Sequence, residues 1–254
     1  MNMKKKILFF SIVLLISACQ IDNYDAPDAI LTGRVIDNVT GKQLLTEQPN
    51  GFQIRNKELS WSGMDIQEDN PEQYAQYFWG KADGSFRNAK MFAGTYQITP
   101  SNGPFHLADA AMQTVELSPG KETDLTFHVT PYISFSDVSI EKDPSASNGI
   151  VATFTIRTHP TEGEPATFKN YRIFATNRTA LVGNNAYDEG VSSAIDETLT
   201  AAQLAELEAC NSVTITKKTK GFVKEKKYAI RIGARCKETP KERYNLSEVI
   251  FLDF

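Results

Sequence analysis

Hydrophobic and polar residues alternate in short runs along most of this chain. A period of two residues is typical of β-strands that bury one face. In the first half, the run beginning at Leu31 alternates until the turn-forming segment 37–42, and further strands are predicted around Phe78, Tyr96 and Leu125. Turn signals such as Asp83-Gly84 separate these runs. The pattern predicts a β-sandwich over residues 29–130.

The second half, residues 131–254, shows the same alternation, which is longest from Tyr228 to Cys236. About seven short strands with interposed turns indicate a sandwich. The fold class expected is therefore all-β, with two consecutive β-sandwich domains. One segment departs from this pattern, since Thr200 and Gln203 have capping-box spacing before a run of helix formers. A short helix is expected there, after a polar surface loop over 177–197.

The amino terminus has the pattern of a secretory leader. Lys4, Lys5 and Lys6 precede an apolar run that ends at Ile16-Ser17-Ala18-Cys19. This run is too short for the roughly 20 apolar residues of a membrane-spanning helix. The cysteine after small residues resembles a lipobox, which implies removal of residues 1–18 and acylation of Cys19. We expect a membrane lipid anchor, followed by a flexible tether over residues 19–28.

Charge argues against a nucleic-acid partner. Loss of the leader removes three of the 27 basic residues and none of the 31 acidic ones, which changes the net charge from −4 to −7. Proteins that bind nucleic acids concentrate positive charge instead. Two cysteines then remain, Cys210 and Cys236. They could form a disulfide in an oxidising envelope, or both could be unpaired, with Cys236 buried.

Recognisable catalytic motifs are absent from the sequence. It has no nucleophile elbow, no Walker loop and no His-Glu-x-x-His helix. Its three histidines, His106, His128 and His159, lack the spacing of metal ligands and are expected to be surface or strand residues. We therefore expect no catalysis, no metal and no cofactor, and a hydrolase with an unrecognised site is a minor alternative.

Aromatic residues concentrate in one stretch of the first half, together with Gln73, Gln76, Asn88 and Asn102. Aromatic rings beside amides suit sugar stacking, and they suit peptide or protein interfaces equally. The alternative is that these rings fill a small core, which we expect of Phe78, Phe92 and Tyr96. The candidate ligand-binding residues are Trp61, Tyr74, Tyr77, Trp79 and Phe105, and for the two tryptophans core and surface remain open.

Three fragments carry a first resemblance: Gly33-Arg34-Val35-Ile36-Asp37, Asp83-Gly84-Ser85-Phe86, and the run from Phe92 to Ile98. Their order resembles the carboxypeptidase-regulatory or transthyretin-like sandwich, which implies a non-catalytic module. The run from Tyr228 to Arg235, with a final strand after Leu246-Ser247, resembles the end of a fibronectin type III domain. That resemblance implies that Tyr228 forms a tyrosine corner.

A second resemblance spans nearly all of the mature chain. The leader, Asn23-Tyr24-Asp25-Ala26-Pro27, Thr46-Glu47-Gln48-Pro49-Asn50-Gly51, Phe78-Trp79 and Gly103-Pro104-Phe105 resemble a family of Bacteroidota lipoproteins. Such proteins are typically encoded beside transporters of the SusC and SusD types. The resemblance implies a lipoprotein of the outer membrane, exposed on the cell surface, that assists the capture and import of glycans or peptides. The alternative is a spacer or scaffold that binds no ligand.

Overall fold

The computed structural model describes residues 26–61, 65–70, 72–107, 112–193 and 197–254. The predicted signal peptide, Cys19 and most of the predicted tether lie outside these ranges. The first seven strands are β1 Ala29–Asp37, β2 Gln53–Glu58, β3 Gln76–Trp79, β4 Ser85–Met91, β5 Gly94–Ser101, β6 Gln113–Leu117 and β7 Glu122–Val129. The next seven are β8 Ile133–Lys142, β9 Gly149–Thr158, β10 Phe168–Thr176, β11 Ser212–Lys220, β12 Lys227–Cys236, β13 Asn245–Leu246 and β14 Ile250–Asp253.

The first sandwich packs a sheet of order β4-β1-β7 against a sheet of order β3-β2-β5-β6. In β1, the alternation predicted from the sequence buries Leu31 and Val35, while Arg34 between them points to solvent. Ile54 and Ile98 contribute from the facing sheet and are fully buried. The two inner faces therefore form one apolar core, as a sandwich requires.

The turn at Asp83-Gly84 does not join paired strands, contrary to the simplest interpretation of its sequence. β3 pairs with β2, whereas β4 pairs with β1 in the other sheet. The chain crosses between sheets here because Phe78 and Phe86 both face the core, where their ring centroids lie 6.2 Å apart. Gly84 has a φ of 79°, which a residue with a side chain rarely adopts.

The second sandwich packs a sheet of order β11-β9-β8 against β10-β12-β13, with β14 also paired to β12. Its core includes Phe154, Ile173 and Ile230, all fully buried. The hydroxyl of Tyr228 accepts a hydrogen bond from the backbone N–H of Val223 at 3.1 Å, the kind of contact expected of a tyrosine corner. The all-β sandwich prediction is confirmed.

The predicted helix is present as α1, Ala201–Cys210, and its capping box joins Thr200 and Gln203 in both directions. The loop before it, predicted to be a surface excursion, is largely exposed over residues 177–193 and is also hydrogen-bonded to β10. The N–H groups of Asp188 and Ser193 donate to the carbonyls of Ala175 and Ile173. The loop thus covers the outer face of the sheet, where an additional apolar cluster forms from Phe174, Val182, Ala229, Tyr244 and Leu246.

Buried polar residues join the two sandwiches. The side-chain amide of Asn245 donates to the carbonyl of Pro104 at 2.8 Å, and its oxygen accepts from the N–H of Ile133 at 3.1 Å. His106 is fully buried beside them and contacts the Glu164 carboxylate at 2.9 Å. The expectation of a surface or strand position for His106 was therefore wrong, because this ring fills the junction.

Both cysteines are free, so the disulfide alternative does not hold in this structure. Cys210 is exposed at the end of α1, whereas Cys236 is buried in the second core, where burial raises the pKa of its thiol. Within the described part of the chain, no helix has the length and apolar character needed to cross a membrane.

Candidate binding groove between the sandwiches

The edge strand β3 presents two aromatic side chains outward. Tyr77 and Trp79 are two residues apart and so share one face, on which they are 39% and 42% exposed. On β2, their register partners are Arg55 and Gln53. The intervening Phe78 packs against the first core, which fixes the direction of its two neighbours.

These two rings form one wall of a groove of about 730 Å³ that both sandwiches line, which we call the interdomain groove. Five amide side chains accompany the rings, and the amide of Asn102 donates to the side-chain oxygen of Gln53 at 2.9 Å. The lining residues are Glu47, Asn50, Gln53, Tyr77, Trp79, Asn102, Asn184, Asn185, Lys241, Glu242 and Arg243. The first six belong to the first sandwich and the remaining five to the second.

Arg243 of the second sandwich also lines the groove and contacts Trp79. Its guanidinium carbon lies 4.8 Å from the centre of the Trp79 ring, a cation–π contact. One terminal nitrogen donates to the carbonyl of Asn50 in the first sandwich. The Nε–H of Arg243 is buried and makes no hydrogen bond.

Glu47 is a buried carboxylate at the junction. Its oxygens accept from the backbone N–H of Asn184 at 2.5 Å and from the side chain of Asn185 at 3.4 Å. Burial raises the pKa of Glu47 to about 7, although the Asn184 N–H and the nearby Arg231 and Arg243 oppose that rise. Desolvation therefore outweighs the favourable charges.

The groove has the composition of a binding site. Exposed aromatic rings can stack on the apolar face of a sugar or on a peptide side chain, and amides can donate and accept hydrogen bonds around it. Among the described residues, no group of three or more His, Cys, Asp or Glu could hold a metal ion. The geometry thus supports recognition of an oligomer along the groove.

The five predicted ligand-binding aromatics separate into three groups. Tyr77 and Trp79 line the groove. Trp61 and Tyr74 are exposed but do not line it. Phe105 was predicted to bind ligand and is instead fully buried in the first core, because its ring packs on Gly103, where an added Cβ would lie 2.0 Å from the ring.

Phe92 is a second correction. It was expected in the core but is 48% exposed, because it lies in the turn between β4 and β5. Its carbonyl accepts a hydrogen bond from the hydroxyl of Tyr96, which is buried as expected.

Sequence reasoning missed the part of the groove that comes from distant segments. Asn184 and Asn185 belong to the loop over β10, and Arg243 follows a short 3-10 helix, Pro240–Glu242. Nothing in the local pattern relates these segments to β3. The one available signal was the stretch Thr46–Gly51, which carried part of the family resemblance and contains Glu47 and Asn50.

Comparison with protein families finds a match for the first sandwich. Residues 29–130 match the family model described as the N-terminal domain of DUF3823, proteins of unknown function. No match was found among curated proteins.

Solved structures share the fold across both sandwiches. A DUF3823 family protein from Bacteroides uniformis is 25% identical with a TM-score of 0.66, and one from Parabacteroides merdae is 17% identical with a TM-score of 0.64. A third, also from Bacteroides uniformis and described as a "putative carbohydrate binding protein", is 22% identical with a TM-score of 0.62. Each similarity covers 90% of this chain and 100% of the other.

Proposed function

We propose that this protein is a non-catalytic lipoprotein of the outer-membrane surface that binds a glycan oligomer in its interdomain groove. The observation that carries the proposal is the pair of exposed rings, Tyr77 and Trp79, on one face of β3 beside five amides. The description of one structural neighbour as a "putative carbohydrate binding protein" supports it. A peptide is the second ligand class that this composition suits.

The membrane part of the proposal rests on the sequence. A leader that resembles a lipobox at Cys19 would anchor the protein, and several acyl chains hold a protein on a bilayer far more firmly than one. The family resemblance adds an accessory role beside a SusC/SusD-type transporter. Mass spectrometry of proteins that co-purify in mild detergent tests that role: stoichiometric SusC- and SusD-type partners support it, and recovery of the lipoprotein alone contradicts it.

Binding itself is tested by substituting the two tryptophans separately. The full-length lipoprotein, solubilised in detergent, is screened against glycan and peptide arrays. Trp79→Ala should weaken binding by roughly 30-fold or more, the loss of a central aromatic anchor. Trp61→Ala is the matched control, because Trp61 is equally exposed but lies outside the groove lining.

A rigid spacer without a ligand is the second candidate, favoured by the buried contacts of Asn245 and Glu47 at the junction. Under that alternative, no array ligand binds and Trp79→Ala leaves transporter association unchanged. Equal losses of binding in the Trp79→Ala and Trp61→Ala variants would instead place the ligand site outside the groove.

A further inference from the structure

Cations outnumber carboxylates in and behind the interdomain groove. Its lining holds two carboxylates, Glu47 and Glu242, and two cations, Lys241 and Arg243. Three further cations lie outside the lining and act on those carboxylates: Arg231 and Arg235 on Glu47, and Arg235 and Lys169 on Glu242. This group of described residues therefore contains five cations and two carboxylates, although the whole chain carries a net charge of −4.

Arg243, one of these cations, also has an unpaired hydrogen-bond donor. The residue is only 6% exposed, and its Nε–H makes no hydrogen bond. Buried charged groups are normally paired and fully hydrogen-bonded, because desolvation is otherwise expensive. A guanidinium that lines a groove can donate to the oxygens of a carboxylate or a sulfate, and the unpaired Nε–H shows that the donors of Arg243 are not all used within the protein.

The two carboxylates cannot neutralise Arg243 fully. Glu242 is held by Lys169 and by Arg235, the latter at 3.2 Å. Glu47 accepts hydrogen bonds from Asn184 and Asn185, and burial raises its pKa to about 7, so a fraction of molecules near neutrality lacks this negative charge. The groove can therefore accommodate a negatively charged group beside Arg243.

We infer that the groove selects an anionic saccharide, whose carboxylate or sulfate binds Arg243 and Lys241 while a sugar ring packs on Trp79. This inference rests on the proposed function, and it specifies the class of glycan. The amides of Gln53, Asn102, Asn184 and Asn185 then form hydrogen bonds with the neutral hydroxyl groups of the same ligand. Charge complementarity of this kind selects the ligand as well as strengthening its binding.

Titration calorimetry on the full-length protein in detergent tests the inference with matched ligands. The first pair is a galacturonic acid hexamer and the same hexamer with every carboxyl methyl-esterified. The second pair is a sulfated galactan hexamer and its desulfated form. We expect the anionic member of at least one pair to bind at least about tenfold more tightly, and this advantage to shrink with added salt. The pair that responds shows whether carboxylate or sulfate is preferred.

Substitutions identify the cations responsible. Lys241→Ala changes an exposed residue, so the fold should persist while affinity for the anionic hexamer falls severalfold, and falls by a larger factor than affinity for the neutral one. Arg243→Met keeps the apolar stem and should abolish the difference between the two hexamers. Thermal unfolding checks that this buried substitution leaves the fold intact, and Lys121→Ala, an exposed cation in the β6–β7 turn, is the matched control.

The two proposals fail differently. Equal affinity for anionic and neutral hexamers, still lost in Trp79→Ala, overturns the anionic preference and leaves glycan binding standing. Binding of none of the four hexamers or of any array glycan overturns both proposals. An anionic preference that persists unchanged in both Lys241→Ala and Arg243→Met also overturns the inference, since the charge would then be recognised elsewhere.

Discussion

The guanidinium of Arg243 lies 4.8 Å from the centre of the Trp79 ring, so a residue of the second sandwich contacts an aromatic residue of the first, which remains 42% exposed. Such a contact contributes about 0.5–2 kcal/mol, depending on how far it is desolvated. The shape of the groove therefore depends on how the two sandwiches are held together. A substitution at the junction between the sandwiches should therefore alter the groove even if it replaces none of the lining residues.

Asn245 holds the junction between the two sandwiches, so we expect its substitution to destabilise the protein. Asn245→Ala leaves the buried N–H of Ile133 without its partner and removes one of the two hydrogen bonds that the Pro104 carbonyl accepts, the other coming from the N–H of Tyr132, which should cost about 1–3 kcal/mol. Chemical denaturation measures the loss. Asn38→Ala, at an exposed position, should change the free energy of unfolding by less than about 0.5 kcal/mol. Equal effects of the two substitutions would show that Asn245 does not hold the junction.

Substitution of Phe105 should destabilise the protein more than substitution of Phe92, although the sequence predicted Phe105 at the binding site and Phe92 in the core. Phe105→Ala removes a fully buried ring and should destabilise the protein by about 3–5 kcal/mol. Phe92→Ala removes a half-exposed ring, so we expect less than about 1.5 kcal/mol. Urea unfolding of both variants checks the order, and a larger loss for Phe92→Ala would contradict the burial described.

Glu47 should make stability depend on pH between about 4.5 and 7. Its folded pKa of about 7 lies above the ordinary value of 4.5, so its contribution is complete below pH 4.5 and is lost as pH rises through 7. Within that window, each pH unit costs the folded state up to about 1.4 kcal/mol. Glu47→Gln should remove this slope, which denaturation at several pH values measures. Parallel curves for wild type and variant would mean that burial does not raise this pKa.

The two cysteines should differ in reactivity. In a Cys19→Ser chain, a maleimide should label Cys210 rapidly and Cys236 only after unfolding, because Cys210 is exposed and Cys236 is buried with a raised thiol pKa. Peptide mapping by mass spectrometry identifies the labelled site. A peptide containing Cys210 linked to Cys236 under non-reducing conditions would contradict the free thiols of this structure.

Local patterns predicted most strands and the helix, because alternation and capping involve neighbouring residues. Leu31 and Val35 of β1 and the pair Thr200 and Gln203 are examples. Sheet membership was beyond these patterns, since Asp83-Gly84 has the same turn chemistry whether the next strand pairs with the last or crosses to the other sheet. Only the burial of Phe78 and Phe86 on facing sheets distinguishes the two.

The sequence predicted the aromatic residues of the candidate site but not the residues that distant segments contribute to it. Tyr77 and Trp79 could be nominated because a concentration of aromatic residues beside amides is visible in the local sequence, although core and surface positions remained open for Trp79. Arg243 could not, because its distance from Trp79 depends on the packing of segments more than 160 residues apart in sequence. Likewise, nothing in the sequence distinguished Phe105 from its exposed neighbours, since their difference lies in packing alone.

The parallel pairing of β1 with β7 sets the distance between the point where the chain enters the first sandwich and the point where it leaves. Because eight residues of β1 run alongside β7 in the same direction, the chain enters the first sandwich at one end and leaves it at the other. At roughly 3.3 Å per residue, the entry at Ala29 and the exit toward the second sandwich are about 25 Å apart. With Cys19 acylated as proposed, the first sandwich would act as a spacer between the lipid anchor and the second sandwich.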